Sequence, residues 1–307
     1  YVKPEKLKKS GKDNVLIYCS TLALNGITSS LLSLVSVIDL SKENLVFSFR
    51  QKPISYNPMR VTKLPEEADV FPISSGYIYS YREIIANVLF YRLNINTRFV
   101  KKYIDRMYKR EVIRLFGNAK FDKVIHFTGY EKRITGLLQR FNAKRAIFVH
   151  SNMVAESKTK GNHHYKTLKE AYNNYDRVVA VSEDIVDSIK KISGRDDNIV
   201  IVHNAHDYKS IIEKSKKEIE FNEKTVSNVS EKILKQLLDM DYTKFINIGR
   251  FSHEKGQKRL IDAFDKFYKE NNNSLLIIIG GYGKMYEEIY EHIKHLSCRY
   301  NVILIKS

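Results

Sequence analysis

Short apolar runs alternate along the chain with longer segments in which apolar and polar residues recur at helical spacing. Before residue 207 the apolar runs are NVLIYCS (14–20), ENLVFSF (43–49), KVIHFTG (123–129), RAIFVHS (145–151), RVVAVS (177–182) and NIVIVHN (198–204). These runs are apolar throughout, which is typical of strands that are covered on both faces. Helix-like segments separate most of them, so the pattern predicts βαβ units and a parallel sheet.

Two other regions before residue 207 have a different pattern. The region from 50 to 73 contains Pro53, Pro58, Pro65 and Pro72, and we expect little regular structure there because proline lacks a backbone donor. Segment 81–116 is rich in Arg, Lys, Tyr and Leu with a mixed helical period, which predicts one or two amphipathic helices.

A second βαβ series follows a charged segment of weak periodicity. Its strands are predicted at KFINIGR (244–250), SLLIIIGG (274–281) and NVILIKS (301–307), with helices at 257–271 and 284–298. The fold class is therefore α/β with two Rossmann-like parallel-sheet domains. We place the N-terminal domain at 1–206, a linker at 207–242 and the first part of a C-terminal domain at 243–307. A parallel sheet of three strands exposes an edge, so we expect the second domain to be truncated and the sequence to continue.

Composition narrows the function only in part. The chain has 307 residues, is 43% hydrophobic and carries a formal net charge of +17. It is typical of a globular protein, and its charge favours polyanions such as anionic lipid or acidic polymers. The alternative is a basic composition without a functional role, and both interpretations stay open. No zinc spacing, RNP aromatic motif or basic heptad helix indicates specific nucleic-acid binding. The two cysteines lie far apart, and reduced thiols in the cytoplasm are the expectation.

Glycine follows a predicted strand at three places. The stretch FINIGRFSHEKG (245–256) ends a strand in glycine and places Arg250 and Lys255 in the turn before the next helix. Two cations beside a helix N-terminus are typical of a phosphate site, although a solvated basic turn is the alternative. Comparable glycine turns occur in IGGYG (279–283) and NGITSSL (25–31). In a parallel sheet such turns lie at the carboxyl edge, where ligands bind.

In this order and spacing, the motifs resemble those of the family 4 glycosyltransferases of GT-B fold. The chain carries NGITSSL (25–31), FVHSN (148–152), VAVSEDI (179–185), VIVHNAHD (200–207), GRFSHEKG (249–256) and GGYG (280–283). No one of these motifs is specific, but the six together cover nearly the whole chain. The chain is also similar in character to bacterial cell-wall, teichoic-acid or capsule glycosyltransferases.

The resemblance implies a donor site for a nucleotide-sugar, with UDP-glucose or UDP-N-acetylglucosamine expected. Arg250 and Lys255 are expected to bind the donor diphosphate, and Gly26 to let the backbone approach the same group. Gly281 and Gly283 are expected to form a donor loop. Transfer is expected to retain the anomeric configuration without metal or cofactor. The glutamate pair that binds the donor sugar and ribose in the family is expected beyond residue 307, so the chain as given is expected to be an incomplete enzyme.

Three further candidate sites lie in stretches of the sequence that contain histidine. The resemblance places His150 beside the donor sugar near the acceptor as the catalytic candidate; a buried histidine satisfied by backbone is the alternative. Asn204 is a possible cleft residue, where Ala205 replaces the usual glycine of the motif. His163 and His164 lack a third ligand, which predicts a surface loop rather than a metal site.

The acceptor is expected to be an anionic or lipid-linked cell-envelope glycan or polyol phosphate. Segment 81–116 is the candidate for peripheral contact with the inner membrane face or the acceptor, and a solvated helix pair is the alternative. Three other classes stay open. The protein could be a non-catalytic GT-B-like partner of an active transferase, a polyanion-binding protein, or a polyol-phosphate transferase, although the histidine pairs usual in the last class are not evident.

Overall fold

Parallel strands form two separate sheets in the computed structural model, which describes residues 7, 11–23, 25–73, 76–156, 164–217, 237–281 and 283–306. The strands are β1 Asp13–Tyr18, β2 Glu43–Arg50, β3 Asp69–Ile73, β4 Lys123–His126, β5 Lys144–Val149, β6 Arg177–Ala180, β7 Ile199–Ile201, β8 Thr243–Ile248, β9 Ser274–Gly280 and β10 Val302–Lys306. The first sheet has the order β3-β2-β1-β4-β5-β6-β7 and the second has the order β10-β9-β8. Every strand pair in both sheets is parallel.

Helices connect these strands. The α-helices are α1 Gly26–Val37, α2 Gln51–Ser55, α3 Tyr81–Tyr91, α4 Arg98–Phe116, α5 Lys132–Leu138, α6 Met153–Glu156, α7 Tyr165–Asn174, α8 Val186–Ser193, α9 Tyr208–Ser215, α10 Gln257–Glu270 and α11 Tyr286–Lys294. Short 3-10 turns cover Pro58–Lys63, Glu183–Ile185 and His253–Lys255.

The central strand of the first sheet is covered on both faces. Leu16 and Tyr18 pack into a cluster formed with α3, α4, α5, α7 and α8. Val15 and Ile17 point to the other face and pack with Leu31 of α1. Successive residues of a strand point to opposite faces, so two covered faces require an uninterrupted apolar run. This explains the pattern of NVLIYCS.

The proline-containing region holds more regular structure than the sequence predicted. Residues 69–73 form β3, which contains Pro72 and pairs with β2 alone. Proline is tolerated because β3 is an edge strand, where one side of the backbone makes no ladder bonds. Pro53 lies in α2, and Pro58 begins a 3-10 turn, a position that needs no backbone donor.

Segment 81–116 forms two helices, as the sequence predicted. The backbone N–H of Ser80 donates to the carboxylate of Glu83 over 2.7 Å, which is part of a capping box at the start of α3. Thr97 caps α4, whose C-terminal cap is Gly117. Glu83 is buried and pairs with the half-exposed Arg110 of α4 at 2.7 Å, so an ion pair joins the two helices.

The second sheet is built in the same manner. Leu276 and Ile278 of β9 pack against α10 and α11, and Leu275 and Ile277 face the opposite side with Ile303. The predicted α/β fold class with two parallel sheets is confirmed. The chain divides into two compact units, residues 1–214 and 215–307. Within the predicted linker 207–242, α9 occupies Tyr208–Ser215, and residues 218–236 lie outside the described part of the chain.

Candidate functional site

The turn after β8 brings Arg250 and Lys255 together. The N–H of Gly249 donates to the carbonyl of Ile279 over 2.9 Å, and the chain then leaves the sheet. The aliphatic stem of Lys255 crosses over Gly249, because a Cβ built on Gly249 would lie 3.4 Å from Lys255 Cδ. Gly256 ends the turn with φ of +63°, a left-handed conformation that favours glycine, and α10 begins at the next residue.

The two cations are exposed. The Arg250 guanidinium lies 3.1 Å from a Glu254 carboxylate oxygen, and the two side chains are 62% and 60% exposed. An ion pair this exposed contributes little free energy, so a ligand anion can replace Glu254 at low cost. Lys255 forms no ion pair within the described part of the chain. A backbone hydrogen bond at Glu254 and then the hydroxyl of Ser252, with smaller effects of Arg250 and Lys255, lower the pKa of the Glu254 carboxyl.

Phe251 determines how the glycine loop after β9 lies against this turn. Its side chain is completely buried. A Cβ on Gly280 would lie 2.7 Å from the Phe251 ring, and a Cβ on Gly283 would lie 2.1 Å from the Phe251 carbonyl oxygen. These glycines therefore have a packing role, whatever they bind. Gly281 is partly buried beside them. Phe251 was not predicted from the sequence, although an apolar residue between the two predicted cations was a usable signal.

Gln257, the first residue of α10, stabilises the same turn by hydrogen bonds. Its side-chain amide donates to the carbonyl oxygens of Gly249 and Arg250 over 3.2 and 3.1 Å. The residue is almost fully buried at the start of α10. Two carbonyls that no ladder satisfies thus obtain a buried donor, which keeps the backbone that carries Arg250 in one conformation.

In the first unit, Gly26 begins α1 at the carboxyl edge of the sheet. Asn25 caps the helix by accepting from the N–H of Thr28 over 3.0 Å. A Cβ on Gly26 would meet nothing within 4 Å, so packing within the described residues does not require glycine here. Ser30, one turn further on, donates to the Asn204 side-chain oxygen over 2.6 Å. The structure therefore brings Asn204 close to the start of α1.

His150 follows β5 and is partly buried, with its ring against those of Phe127 and Phe148. Its Nε2 lies 2.7 Å from the Phe127 carbonyl oxygen and must donate to it, which leaves Nδ1 as an acceptor in the neutral ring. Burial lowers the pKa of His150, and the bond to Phe127 opposes that shift in part. The ring is therefore neutral at pH 7. This satisfied, buried geometry fits the structural alternative as well as a contact with substrate.

An additional group of charged residues lies at the edge where the strand order reverses. Arg50 ends β2, and its guanidinium lies 2.6 Å from the carboxylate of Glu131, which is buried just before α5. Tyr18, at the end of β1, is buried nearby. Burial and then the Glu131 charge raise the pKa of Tyr18. This group was not predicted from the sequence. The signal for it was Arg50, a charged residue directly after the apolar run 43–49.

The paired histidines do not behave as predicted. His164 is buried rather than in a surface loop, because its ring bonds to Thr167 at 2.9 Å and to Asn94 at 2.8 Å. His163 lies outside the described residues. Among the described residues, no three His, Cys, Asp or Glu side chains form a group that could hold a metal ion. No helix in that part of the chain combines the length and hydropathy of a membrane span.

Comparison with known proteins agrees with the fold. Residues 228–307 match the family model of the group 1 glycosyl transferases. A 118-residue stretch is 31% identical to an uncharacterized glycosyltransferase of Methanocaldococcus jannaschii, and it covers 34% of this chain and 29% of that protein. The chain thus spans less than a third of the curated relative that it matches.

Solved structures extend the likeness to the whole chain. Anabaena HepE in complex with UDP and glucose superposes with a TM-score of 0.56 at 14% identity, covering 96% of this chain and 69% of HepE. A trehalose-6-phosphate structure from E. coli with bound UDP-2-fluoro glucose gives 0.56 at 10% identity, covering 96% and 73%. S. aureus TarM with UDP gives 0.55 at 11%, covering 96% and 77%. At these identities the likeness shows the fold alone, and the predicted GT-B fold class is confirmed.

Proposed function

We propose that the protein is a glycosyltransferase that moves a sugar from a UDP-sugar to an anionic or lipid-linked acceptor. The observation that carries the proposal is the turn after β8, where Arg250 and Lys255 stand exposed before the N-terminus of α10. The group 1 glycosyl transferase match over residues 228–307 includes this turn. UDP in the named structures of HepE and TarM supports UDP as the nucleotide.

The chemistry follows from the charge that develops on the leaving group. The bond between the sugar C1 and the diphosphate oxygen breaks, and the acceptor oxygen forms a bond to C1 on the same face. Because the new bond forms on the face from which the diphosphate leaves, the configuration at C1 is retained. The acceptor proton passes to the leaving phosphate oxygen. Arg250 and Lys255 are assigned to the diphosphate, whose negative charge grows in the transition state. Gly281 and Gly283 are assigned to the adjoining donor loop.

In the first unit, the roles proposed for Gly26, His150 and Asn204 concern positioning. The unobstructed backbone at Gly26 suits the close approach of a phosphate to the start of α1. Neutral His150, with Nε2 bound to Phe127, keeps Nδ1 as an acceptor for a sugar hydroxyl. Asn204 holds the start of α1 through Ser30. None of these roles requires a metal ion or a side-chain nucleophile.

UDP binding to the matched variants tests the donor site. UDP at about a hundred times its dissociation constant should raise the stability of the wild-type protein by about 2.7 kcal/mol, measured by thermal melting. Arg250→Ala/Lys255→Ala should remove this shift. Arg259→Ala/Lys266→Ala, which deletes the same charge further along α10, should retain it. A UDP shift of equal size in both double variants would overturn the assignment, and affinity that ignores UDP but falls steeply with salt would favour a polyanion-binding protein.

Peripheral contact with an anionic membrane is the second part of the proposal. Tyr81, Ile84 and Val88 of α3 are 78%, 49% and 40% exposed and recur at helical spacing, so α3 presents an apolar stripe to solvent. Arg92 and Lys101 are among the exposed cations of the same helix pair. An apolar stripe beside cations is typical of helices that lie on anionic lipid.

Vesicle sedimentation tests this contact. The protein should sediment with phosphatidylglycerol vesicles and remain in solution with phosphatidylcholine vesicles. Ile84→Ser/Val88→Ser should weaken sedimentation several-fold, and Ile211→Ser/Met240→Ser, two exposed apolar positions elsewhere, should not. Equal sedimentation of both variants would remove the membrane contact from the proposal.

A further inference from the structure

A cavity of about 570 Å³ opens at the carboxyl edge of the first sheet, and none of its described lining residues is a site candidate from the sequence. Arg50 and Ile73, which end β2 and β3, line it together with Arg133 in the first turn of α5. Lys52 and Tyr77 are also part of its wall. The carboxyl edge is where ligands bind in open parallel sheets, and the volume is that of a small-molecule site.

The wall of this cavity is cationic. Arg50, Lys52 and Arg133 line it, and no acidic side chain is among the described lining residues. Glu131 neutralises Arg50 alone, through the 2.6 Å ion pair. Lys52 and Arg133 have no carboxylate partner within the described part of the chain. Two positive charges therefore remain uncompensated around one cavity.

The two guanidinium groups of this wall, of Arg50 and Arg133, are held in place before any ligand arrives. The Arg133 guanidinium carbon lies 6.0 Å from the centre of the Tyr77 ring and 5.7 Å from that of Tyr79, which are cation–π distances. Arg50 is held by the buried carboxylate of Glu131. Fixed guanidinium groups lose less entropy on binding an anion than free ones do, so the arrangement is preorganised.

Tyr77 adds apolar surface to the same wall. Its hydroxyl is buried and has no exposed surface, so the ring and not the hydroxyl faces the cavity. The ring that holds Arg133 is therefore also part of the cavity wall.

We infer that this cavity, lined by Arg50, Lys52 and Arg133, binds the phosphate group of the acceptor. Guanidinium and ammonium groups are donors that proteins use for phosphate oxygens. The tyrosine ring and Ile73 supply apolar surface for the carbon skeleton of a sugar or polyol. That the ligand is the acceptor rests on the proposed function, whereas the binding of a phosphate group in this cavity does not. The phosphate belongs either to a free sugar phosphate or to a lipid headgroup.

Calorimetric titration of the 307-residue chain, without UDP, tests the inference. Glucose 6-phosphate should bind, and glucose should bind at least tenfold more weakly. Lys52→Met/Arg133→Met should lower the affinity for glucose 6-phosphate tenfold or more, while Arg50 stays in place to neutralise Glu131. Arg299→Met is the matched control, because that guanidinium also lies over a tyrosine ring, Tyr300 at 4.8 Å, in residues 215–307.

Vesicles distinguish the two sources of phosphate. If vesicles of phosphatidylglycerol compete with glucose 6-phosphate in the wild-type chain, the site accepts a headgroup; if they do not, it is selective for the soluble phosphate. Both results support phosphate recognition. Equal affinity of the Lys52→Met/Arg133→Met variant and the wild type for glucose 6-phosphate would overturn it, as would equal binding of glucose and its phosphate.

UDP binding, measured on the same variants, separates this inference from the proposed function. The Lys52→Met/Arg133→Met variant should bind UDP as the wild type does. If UDP binds and glucose 6-phosphate does not, the phosphate cavity is refuted and the donor site stands. If glucose 6-phosphate binds in the cavity and UDP binds nowhere, the phosphate cavity stands and the assignment of Arg250 and Lys255 to the donor diphosphate is refuted.

Discussion

Substitution of Gly129 by alanine should destabilise the first unit through both a strained backbone conformation and a steric overlap. Gly129 has φ of +72°, and a Cβ built there would lie 1.7 Å from the carbonyl oxygen of Phe148 on the neighbouring strand. The left-handed conformation costs an alanine about 1–2 kcal/mol. Relief of the overlap requires backbone movement, which costs about 1–3 kcal/mol more. We therefore expect Gly129→Ala to lower the free energy of unfolding by about 2–5 kcal/mol.

A matched glycine isolates the two contributions. Gly194 has φ of +78°, but a Cβ there would meet nothing within 4 Å, so Gly194→Ala should cost about 1–2 kcal/mol from the backbone alone. Urea unfolding followed by far-UV circular dichroism gives both values, and hydrogen exchange in peptides from 123–149 localises the loss to β4 and β5. If the two variants lose the same stability, the close approach of Gly129 to Phe148 does not exist in solution.

The same substitution should also affect the candidate sites. The loop that contains Gly129 carries the Phe127 carbonyl that holds His150, and it carries Glu131, which holds Arg50. A shifted loop releases both contacts. Binding of glucose 6-phosphate should therefore weaken in Gly129→Ala and persist in Gly194→Ala, provided that both are measured at a temperature where each variant is folded.

Three further predictions concern buried groups. His126 is fully buried, and its two ring nitrogens have no hydrogen-bond partner among the described residues. Burial, with a smaller effect of His150, lowers its pKa to about 3. Since the unfolded pKa is near 6.5, the unfolded state takes up the proton first, and about 2 kcal/mol of stability should be lost between pH 6.5 and 5. Urea unfolding across that range should show this loss in the wild type and not in His126→Phe; identical pH profiles would contradict it. Phe251→Ala should lower the free energy of unfolding by about 3–5 kcal/mol and weaken UDP binding, whereas Phe251→Leu should lower it less. Urea unfolding and calorimetry check the two effects. Unchanged UDP affinity in Phe251→Ala would show that the packing of Phe251 does not support UDP binding. Glu83→Gln should lower the free energy of unfolding, measured in urea, by about 1–3 kcal/mol, because it breaks the pair between the buried Glu83 and the partly exposed Arg110. If the same substitution causes an equal loss in a protein that already carries Arg110→Met, the pair is not responsible.

The local pattern of the chain determined its secondary structure and the type of its sheets. Continuous apolar runs predicted covered parallel strands, because both faces of such a sheet are packed by helices. The order of motifs predicted the GT-B fold class. The pattern did not predict β3, because proline argues against a central strand and only the tertiary structure makes β3 an edge strand.

The sequence predicted that Arg250 and Lys255 share the turn after β8, because they are close along the chain and a single strand end and helix start position both. The roles proposed for these residues remain predictions. The glycines of the next loop were recognisable too, but their packing on Phe251 was not, because that contact joins two strands whose register the sequence does not state.

The phosphate cavity depended entirely on tertiary structure. Arg50, Tyr77 and Arg133 are far apart in sequence, and each by itself is an ordinary surface residue type. They line one cavity because the order β3-β2-β1-β4 brings the ends of these strands to one edge of the sheet. Charge composition favoured polyanions as partners but left open a basic composition without a functional role, since a net charge does not state where the charges lie. The tertiary structure decides which cations lie beside carboxylates and which, like Lys52 and Arg133, do not. No local sequence pattern encodes this arrangement.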